Sequence, residues 1–497
     1  MRRLIKSRSF IISLAASLLF ACAAASAGQQ GEKGEGWRKQ APRPGPARPF
    51  DLPAAREARL ENGLTLVMIE DRRTPLVTIL AGIPDSIWSA TPGELSNKAA
   101  LREATAELLT EGAGPRTSEQ LAREVETLGG QIASFASSDY AVVSAAVISE
   151  NAGAMIDIFA DVLARPSFPQ SEVALYKNNR LEKLTLDRQD PSFLVREHFN
   201  RIIHGATPYG IIAPAPASVR LMTRAGVASF YRSNYSPAAS VIIIVGDFDS
   251  TKMEAKARAS LGKWKAPPAP VKTSREFRPA RQQAARRIYL IDRPGSRQAD
   301  FRIGNLAIAR ADADYFPLLV ANAILGADTS SRLFLNIREQ KGFAYDAHSA
   351  MSALERAGTF FGEAQTRTEV TLEAIKAMLA EFDRLRDEKV SAQELQNAKS
   401  YLAGRFSLAL STEGGIADEL LQTHLLNLGA DYLKNYRARI EAVTAEDVQR
   451  VARKRVLTDR PAIVVVGDAT KLKKELSTLG PLVVLDAKGN LPSKIKE

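Results

Sequence analysis

The sequence predicts an α+β fold built from two duplicated domains, in which mixed sheets are covered by helices. One observation is a repeat at a constant spacing. Asp71 and Asp292 each follow an apolar run, and residues 241–247 recur as residues 462–468, in both cases 221 positions later. Because the spacing is the same at both ends of the repeated stretch, it indicates an internal duplication.

The second observation is the order of the elements, which mixes strands and helices without strict alternation. Asn62-Gly63 marks a turn before the first strand, and Leu101, Ala104 and Leu108 share one face of a helix. The elements predicted in the first half are, in order, strands 64–70 and 76–81, helices 98–110 and 118–128, strands 131–136 and 140–148, further helices, and strand 240–245.

The ends of helix 118–128 are marked in the sequence. Thr117 is a favourable N-cap residue before the helix, and Gly129 is a typical residue just after its C-terminal end. The second half repeats the plan of the first. One of its helices is amphipathic, with an apolar face formed by Ile375, Met378, Phe382 and Leu385. This order of strands and helices favours an α+β fold over a doubly wound parallel sheet.

The N-terminal segment, residues 1–27, is typical of a secretory signal peptide. A basic start is followed by an apolar stretch and by the cleavage pattern Ala25-Ser26-Ala27. Cleavage there leaves no cysteine, because Cys22 is the only one in the chain. We therefore expect an exported, periplasmic protein. The alternative is a lipobox at residues 19–22, in which case a lipidated Cys22 would anchor the protein to a membrane.

Proline, glycine and charge divide the rest of the chain into domains and connections. Residues 28–54 are rich in all three and predict a tether, and a second proline-rich stretch predicts a linker. The predicted order is tether 28–54, N-terminal domain 55–264, linker 265–286, C-terminal domain 287–475 and C-terminal tail 476–497.

Length and charge exclude some classes of protein. The chain has 497 residues, of which 45% are hydrophobic and 25% charged, as in soluble globular proteins. The net charge is +11, but four of the positive charges lie within the first eight residues. There is no dense basic stripe with interleaved aromatic residues, so nucleic acid is not an expected partner.

Histidines and short motifs exclude several kinds of catalytic site. None of the four histidines lies in an H-E-x-x-H or H-x-x-E-H motif, and we expect ordinary core or surface roles for them; they are His198, His204, His348 and His424. The sequence also lacks a G-x-S-x-G elbow, a P-loop and a G-x-G-x-x-G motif. A serine hydrolase or a nucleotide-dependent enzyme is therefore not supported.

One segment, residues 326–345, is more specific. A turn leads into a helix that carries Leu333 and Ile337, Gly342 ends the helix, and a strand begins near Tyr345. The segment resembles the C-terminal-domain signature of the pitrilysin/insulinase zinc peptidases, the inverted-motif family that includes the mitochondrial processing peptidase. The resemblance covers residues 55–475 and implies the processing-peptidase, or LuxS-like metallohydrolase, type of fold.

In that family an arginine and a tyrosine, seven positions apart, contact the substrate carbonyl near the scissile bond. The resemblance places these roles on Arg338 and Tyr345. The chemistry is suitable, because a guanidinium is permanently charged and a phenol donates a second hydrogen bond to the same oxygen. The alternative is that Arg338 makes a structural ion pair and Tyr345 belongs to the core.

Active members carry H-x-x-E-H on the first helix of the first domain and a glutamate about 76 residues later. The matching positions here are Glu103, Ala106 and Glu107, and the best match for the distal ligand is Lys183, with Glu182 one register away. The resemblance therefore implies that this chain has lost its zinc site and binds no metal of its own.

We expect a salt-bridge cluster in place of the metal, in which Arg180 and Lys183 approach Glu103 and Glu107. The reason is a reversal of charge, with acids in place of histidines and a base in place of the acid. Two alternatives are a solvated helix face and a weak site for a hard cation between the two carboxylates, which lie four residues apart.

Half-size members of this family work as pairs, in which one chain holds zinc and the other supplies the arginine and tyrosine. The resemblance implies that this chain is the second kind, similar to the alpha subunit of the processing peptidase. Zinc is then expected on a homologous partner subunit, and the substrate is an unstructured peptide bound against a sheet edge. The alternative is a catalytically inactive scaffold or peptide-binding protein.

Overall fold

Two six-stranded sheets with the same strand order organise the molecule. The computed structural model describes residues 53–84, 87–265 and 280–491. The predicted signal peptide with Cys22, the tether as far as residue 52 and most of the predicted linker lie outside the described residues. Among the described helices, none is both long enough and apolar enough to cross a membrane.

The two sheets confirm the predicted duplication. The first consists of β1 (Arg56–Arg59), β2 (Thr65–Glu70), β3 (Leu76–Pro84), β4 (Gln131–Ala136), β5 (Tyr140–Ile148) and β6 (Val241–Gly246). The second consists of β7 (Arg287–Asp292), β8 (Gln298–Leu306), β9 (Ala344–Ala353), β10 (Gly358–Arg367), β11 (Ala462–Gly467) and β12 (Leu482–Leu485). The orders are β1-β2-β6-β3-β5-β4 and β12-β7-β11-β8-β10-β9, so five strands correspond one to one.

The sheets differ in the sixth strand. In the first sheet β1 precedes its neighbour in the chain and runs antiparallel to β2. In the second sheet β12 comes from the predicted C-terminal tail, 476–497, and runs parallel to β7. The tail therefore contributes an edge strand to the second sheet.

The strands in the middle of each sheet are completely buried. All six residues of β6 and all six of β11 are buried, and both are runs of small, mostly β-branched apolar residues. A strand covered on both faces needs apolar side chains on both, so the runs are continuous and not alternating. Gly246 ends β6 at φ 143°, and a Cβ there would lie 2.1 Å from the Leu76 carbonyl oxygen, so only glycine fits this close approach.

Helices follow the strands in each half. Those of the first half are α1 (Pro92–Glu107), α2 (Ser118–Thr127), α3 (Ala152–Ala164), α4 (Gln170–Asp187), α5 (Pro191–His204), α6 (Pro216–Leu221), α7 (Arg224–Asn234) and α8 (Ser250–Leu261). Those of the second half are α9 (Tyr315–Gly326), α10 (Thr371–Asp387), α11 (Ala392–Ala409), α12 (Glu413–Leu425), α13 (Tyr432–Glu441), α14 (Ala445–Arg455) and α15 (Ala469–Leu476). The predicted α+β class, with mixed sheets covered by helices, is confirmed.

One helix of each half packs on the sheet of the other half. Helix α5, from the first half, packs on β8 and β11, and α12, from the second half, packs on β3 and β6. Phe199 of α5 and Leu421 of α12 are both buried in these contacts. The apolar core is therefore continuous between the halves.

Two helices differ from their predictions. The helix predicted over 98–110 begins earlier, because Thr91 and Glu94 form a capping box and Pro92 occupies the first helical position. The helix predicted around Leu333 is a π-helix, Phe334–Gln340. Such wide turns are short and often lie at functional sites, and no simple periodicity announces them in a sequence.

Candidate functional site

The degenerate metal helix, α1, faces α4 across an ion pair. The Arg180 Nη2 atom donates to Glu103 Oε2 at 3.2 Å, and Arg180 Nε lies against the other oxygen. The Tyr176 hydroxyl also donates to Glu103, at 3.3 Å. Both donors lie on one face of α4, because they are four residues apart. Arg180 therefore approaches one of the two carboxylates, as predicted, and that carboxylate is Glu103.

Lys183 is placed differently from the prediction. Its Nζ atom lies 3.1 Å from Asp187 Oδ1, one turn further along α4, and 67% of its side chain is exposed. The sequence predicts that Lys183 approaches Glu103 and Glu107 in a salt-bridge cluster. Among the described residues it forms no ion pair with either, and only its charge acts on Glu107 from a distance, so the ion pair contains Arg180 alone. An i,i+4 partner on the same helix satisfies the lysine, and the ammonium stays in solvent.

Glu107 keeps its carboxylate open to a cavity of about 470 Å³, which both halves line. Burial raises the pKa of Glu107, and repulsion from Glu103 raises it further, against the opposing charges of Arg180 and Lys183. The second half contributes Arg302, among others, to the cavity wall. Two glutamates, Glu103 and Glu107, and three arginines, Arg102, Arg180 and Arg302, therefore line the cavity together.

These residues do not fit a zinc ion. Ala106 is fully buried and has no base to offer, and Glu103 is already held by two donors. Within residues 53–84, 87–265 and 280–491, no group of three or more histidine, cysteine, aspartate or glutamate side chains is placed to hold a metal. His204 lines the same cavity and burial lowers its pKa to about 4, so it is neutral, but it does not belong to a group of three such side chains among the described residues. A tetrahedral zinc site needs three such protein ligands, so α1 and α4 do not supply one.

Arg338 and Tyr345 lie together, although they come from different elements. The π-helix carries Arg338, and β9 carries Tyr345 as its second residue. The guanidinium carbon is 4.8 Å from the centroid of the Tyr345 ring and 4.6 Å from that of Phe334. Cation–π contacts of this length orient an arginine without neutralising it.

The pair is accessible from solvent. Tyr345 is 84% exposed, so the alternative in which it belongs to the core is wrong. The carboxylate in contact with Arg338 is that of its neighbour Glu339, at 3.4 Å. An exposed phenol and a half-buried guanidinium on one surface are able to hold a common acceptor oxygen.

A second cavity, of about 450 Å³, begins at Tyr345 and is lined by a charged network that the sequence did not reveal. His348 lies between Asp346 and Glu363, with N···O distances of 2.9 Å to each, and Glu363 also pairs with Arg302. His348 and Glu363 are directly opposite each other on β9 and β10. Their proximity depends on strand register, which single-sequence patterns do not determine.

The network shifts two pKa values in opposite directions. The hydrogen bond to Glu363 raises the pKa of His348, against the opposing effect of burial. Burial favours the neutral form of Glu363, but the contacts with His348 and Arg302 outweigh it and lower the pKa of Glu363 to about 2. At neutral pH the glutamate is therefore ionised beside the exposed Tyr345.

The other histidines have structural surroundings. His198 is fully buried and lies 3.3 Å from the Ala487 carbonyl oxygen through Nε2. His424 lies 2.9 Å from the Leu420 carbonyl oxygen through Nδ1. Neither is among side chains that could share a metal in the part of the chain that the structure describes.

Comparisons with known proteins show which sequences and structures this chain resembles. Residues 106–212 match the sequence profile described as "Insulinase (Peptidase family M16)", and residues 222–402 match "Peptidase M16 inactive domain". An uncharacterized zinc protease of Streptomyces coelicolor is 28% identical over 387 residues, which cover 77% of this chain and 84% of the relative. The mitochondrial-processing peptidase subunit beta of Blastocladiella emersonii is 24% identical over 433 residues, covering 84% and 90%.

Solved structures share the fold. The peptidase M16 inactive domain from Pseudomonas fluorescens superimposes with a TM-score of 0.77 at 24% identity, covering 84% of this chain and 98% of that one. A protease from Helicobacter pylori superimposes with a TM-score of 0.76 at 17% identity, covering 84% and 100%. Two profiles of one family together cover more than half of the sequence, and the fold agrees along both halves. The chain therefore belongs to the insulinase family of peptidases, family M16.

Proposed function

We propose that this chain is the non-zinc subunit of an exported, heterodimeric zinc metallopeptidase. The observation that carries the proposal is the pairing of Arg338 with a Tyr345 that is 84% exposed, on a chain whose own metal helix holds an ion pair. A homologous partner subunit would hold the zinc and the general base. Export rests on the predicted signal peptide, residues 1–27.

In this role Arg338 and Tyr345 bind the substrate carbonyl next to the bond that is cut. The guanidinium stabilises negative charge as it develops on the carbonyl oxygen, and the phenol donates a second hydrogen bond to it. The ring of Tyr345 holds the guanidinium in place before the substrate arrives, so little reorganisation is needed. This chain itself contributes no metal chemistry.

The substrate in this proposal is an unstructured peptide that binds in an extended conformation. Tyr345 lies on β9, which is one of the two edge strands of the second sheet. An edge strand presents unpaired backbone groups, and an extended peptide satisfies them by adding a strand. A peptide bound there would pass directly beside Tyr345.

The second candidate is a catalytically inactive peptidase-like scaffold, or a peptide-binding protein. It is favoured by the contacts that Arg338 already makes within the chain, with Phe334, Tyr345 and Glu339. Those contacts are sufficient for a packing role. The match to a profile named for inactive domains is equally compatible with both candidates.

The test begins with the tagged full-length chain, purified from its native host. We expect an H-x-x-E-H chain to co-elute, and the eluate to cleave unstructured peptides in a reaction that a chelator stops. Arg338→Ala should lower kcat by about 10²-fold to 10³-fold without dissociating the complex, the usual cost of losing one donor to an oxyanion.

The matched control is Arg405→Ala, which removes a second surface arginine that lies beside a tyrosine. Arg405 is 5.7 Å from the Tyr401 ring centroid and donates to its hydroxyl at 3.3 Å. This variant should retain activity. If the chain elutes alone and without peptidase activity, the scaffold is the correct function.

A further inference from the structure

The π-helix that carries Arg338 packs against α10, where it contacts a buried carboxylate, Glu381. Glu381 is 1% exposed and is buried together with the apolar residues of α10. Among the buried residues of that helix it is the only one with a charge. A glutamate is almost never completely buried unless it has partners, so its contacts have to explain its position.

Two side chains hold Glu381. The Arg384 Nη1 atom, one turn further along α10, lies 3.0 Å from each carboxylate oxygen and neutralises the charge. The Asn336 Nδ2 atom, from the π-helix, donates to Oε1 of the same carboxylate. The Asn336 Oδ1 atom has no hydrogen-bond partner among the described residues, so the amide is held through its donor. The contact between Asn336 and Glu381 therefore fastens the π-helix to α10.

The backbone of Asn336 also takes part in the wide turn itself. Its carbonyl oxygen accepts from the N–H of Lys341, five residues further on, at 3.1 Å. In an α-helix the donor would be the residue four positions on. Arg338 lies between Asn336 and Lys341, so the turn that this bond closes contains the arginine.

The wide turn decides which way Arg338 faces. A π turn has one residue more than an α turn, so tightening it would rotate the residues within and after it by up to about 100° about the helix axis. The guanidinium would then leave the Tyr345 ring, whose centroid is now 4.8 Å away. The arginine and the tyrosine therefore stay together only while the turn stays wide.

We infer that Asn336 and Glu381 are positioning residues for Arg338, because their hydrogen bond fixes the π-helix with the guanidinium beside Tyr345. The inference rests on the proposed function, in which Arg338 and Tyr345 contact the substrate carbonyl. In this role Asn336 and Glu381 do not touch the substrate. They hold Arg338 in place before the peptide binds, which reduces the reorganisation that the reaction requires.

The test compares kcat and KM of the complex with its partner subunit, on one unstructured peptide. Asn336→Leu removes the amide but leaves Glu381 paired with Arg384, so the chain should fold. Glu381→Met removes the same hydrogen bond from the other side and places an apolar side chain among apolar neighbours. Each variant should lower kcat about tenfold and change KM less than about twofold, because a misplaced Arg338 stabilises the transition state less well.

A double-mutant cycle shows whether Asn336 acts through Arg338. If it does, Asn336→Leu should cause no further loss of kcat in an Arg338→Ala background, because the group that it positions is absent. A residue with a merely structural role would lower kcat by the same factor in both backgrounds. An undiminished tenfold loss in the Arg338→Ala background would therefore overturn the inference.

Asp314→Asn is the matched control. Asp314 is also a buried carboxylate held by cations, but it precedes α9, a helix about 18 Å long whose other end leads towards the π-helix. Its substitution should lower stability and leave kcat unchanged. If the wild-type complex lacks peptidase activity, or Arg338→Ala retains it, the proposed function fails and the inference fails with it. If Arg338→Ala lowers kcat but Asn336→Leu and Glu381→Met do not, the inference alone is wrong.

Discussion

Arg180 and Glu103 show how single residues replace a metal site by an ion pair. The side chain of Arg180 is 10% exposed and that of Glu103 is 21% exposed, so the pair is largely removed from water. The gain from such a pair is modest, since both charges lose their hydration. Removing one partner alone is costly, because the other charge stays buried.

We predict that Glu103→Gln lowers the free energy of unfolding by about 2–3 kcal/mol, since it leaves the Arg180 guanidinium without its main counterion. Urea denaturation measures the change. Glu119→Gln is the control, because its partner Arg123 and Glu119 itself are 73% and 80% exposed. That change should cost less than about 1 kcal/mol. Equal costs for the two variants would show that the Arg180–Glu103 pair is not effectively buried.

At the scale of elements, the pairing of β9 with β10 creates the charged network beside Tyr345. The antiparallel register places His348 opposite Glu363, and the network continues through Glu363 to Arg302 on β8. Opposite charges in directly paired positions stabilise a sheet. The His348–Glu363 ion pair therefore helps to hold β9, the edge strand that carries Tyr345, to β10, and its strength depends on the protonation of both side chains.

The His348–Glu363 ion pair predicts that the stability of the protein depends on pH. The pKa of His348 is raised above 6.5, so its stabilising effect is complete below that pH and is lost as pH rises through the folded-state value. The pKa of Glu363 is lowered from 4.5 to about 2, so its effect is complete above pH 4.5 and is lost on acidification. The contribution of the pair is therefore largest between those limits.

His348→Gln should thus destabilise the protein more at about pH 5.5 than at about pH 8.5, as measured by urea denaturation at each pH. In a Glu363→Gln background the same substitution should lose most of that pH dependence, because the main partner that raises the pKa of His348 is gone and only Asp346 is left to raise it. A pH-independent cost in both backgrounds would contradict the coupling.

The whole molecule is held together by the exchange of α5 and α12 between its halves. Each helix supplies apolar residues to the sheet of the other half, so neither half closes its core alone. Gly82 on β3 illustrates the closeness of the contact, since a Cβ there would lie 2.5 Å from a methyl carbon of Leu425 on α12. We therefore expect the described body to unfold as one cooperative unit.

Tryptophan fluorescence tests this expectation, because the tryptophans of the described body, Trp88 and Trp264, both lie in the first half. Leu421→Ala, in the second half, should cost about 2–4 kcal/mol and move the fluorescence transition as much as the circular dichroism transition. Leu408→Ala on α11 is the control, since Leu408 is 73% exposed. If fluorescence does not follow Leu421→Ala, the halves unfold separately.

Local pattern in the sequence determined the α+β class, the duplication and the placement of Glu103, Ala106 and Glu107 on one helix, since periodicity and chain order are properties of neighbouring residues. Arg338 and Tyr345 were singled out by the resemblance of residues 326–345 to the insulinase family, and not by local pattern alone. Tertiary structure decided which cation meets Glu103. The reversal of charge predicts both Arg180 and Lys183 near Glu103 and Glu107, but the packing of α4 on α1 brings Arg180 to Glu103 and leaves Lys183 paired with Asp187.

Tertiary structure likewise decided the helix exchange and the pairing of His348 with Glu363. These features depend on strand register and on contacts between residues far apart in the chain. A single sequence determines the periodicity of each element, whereas the partner of each side chain is set by how those elements pack.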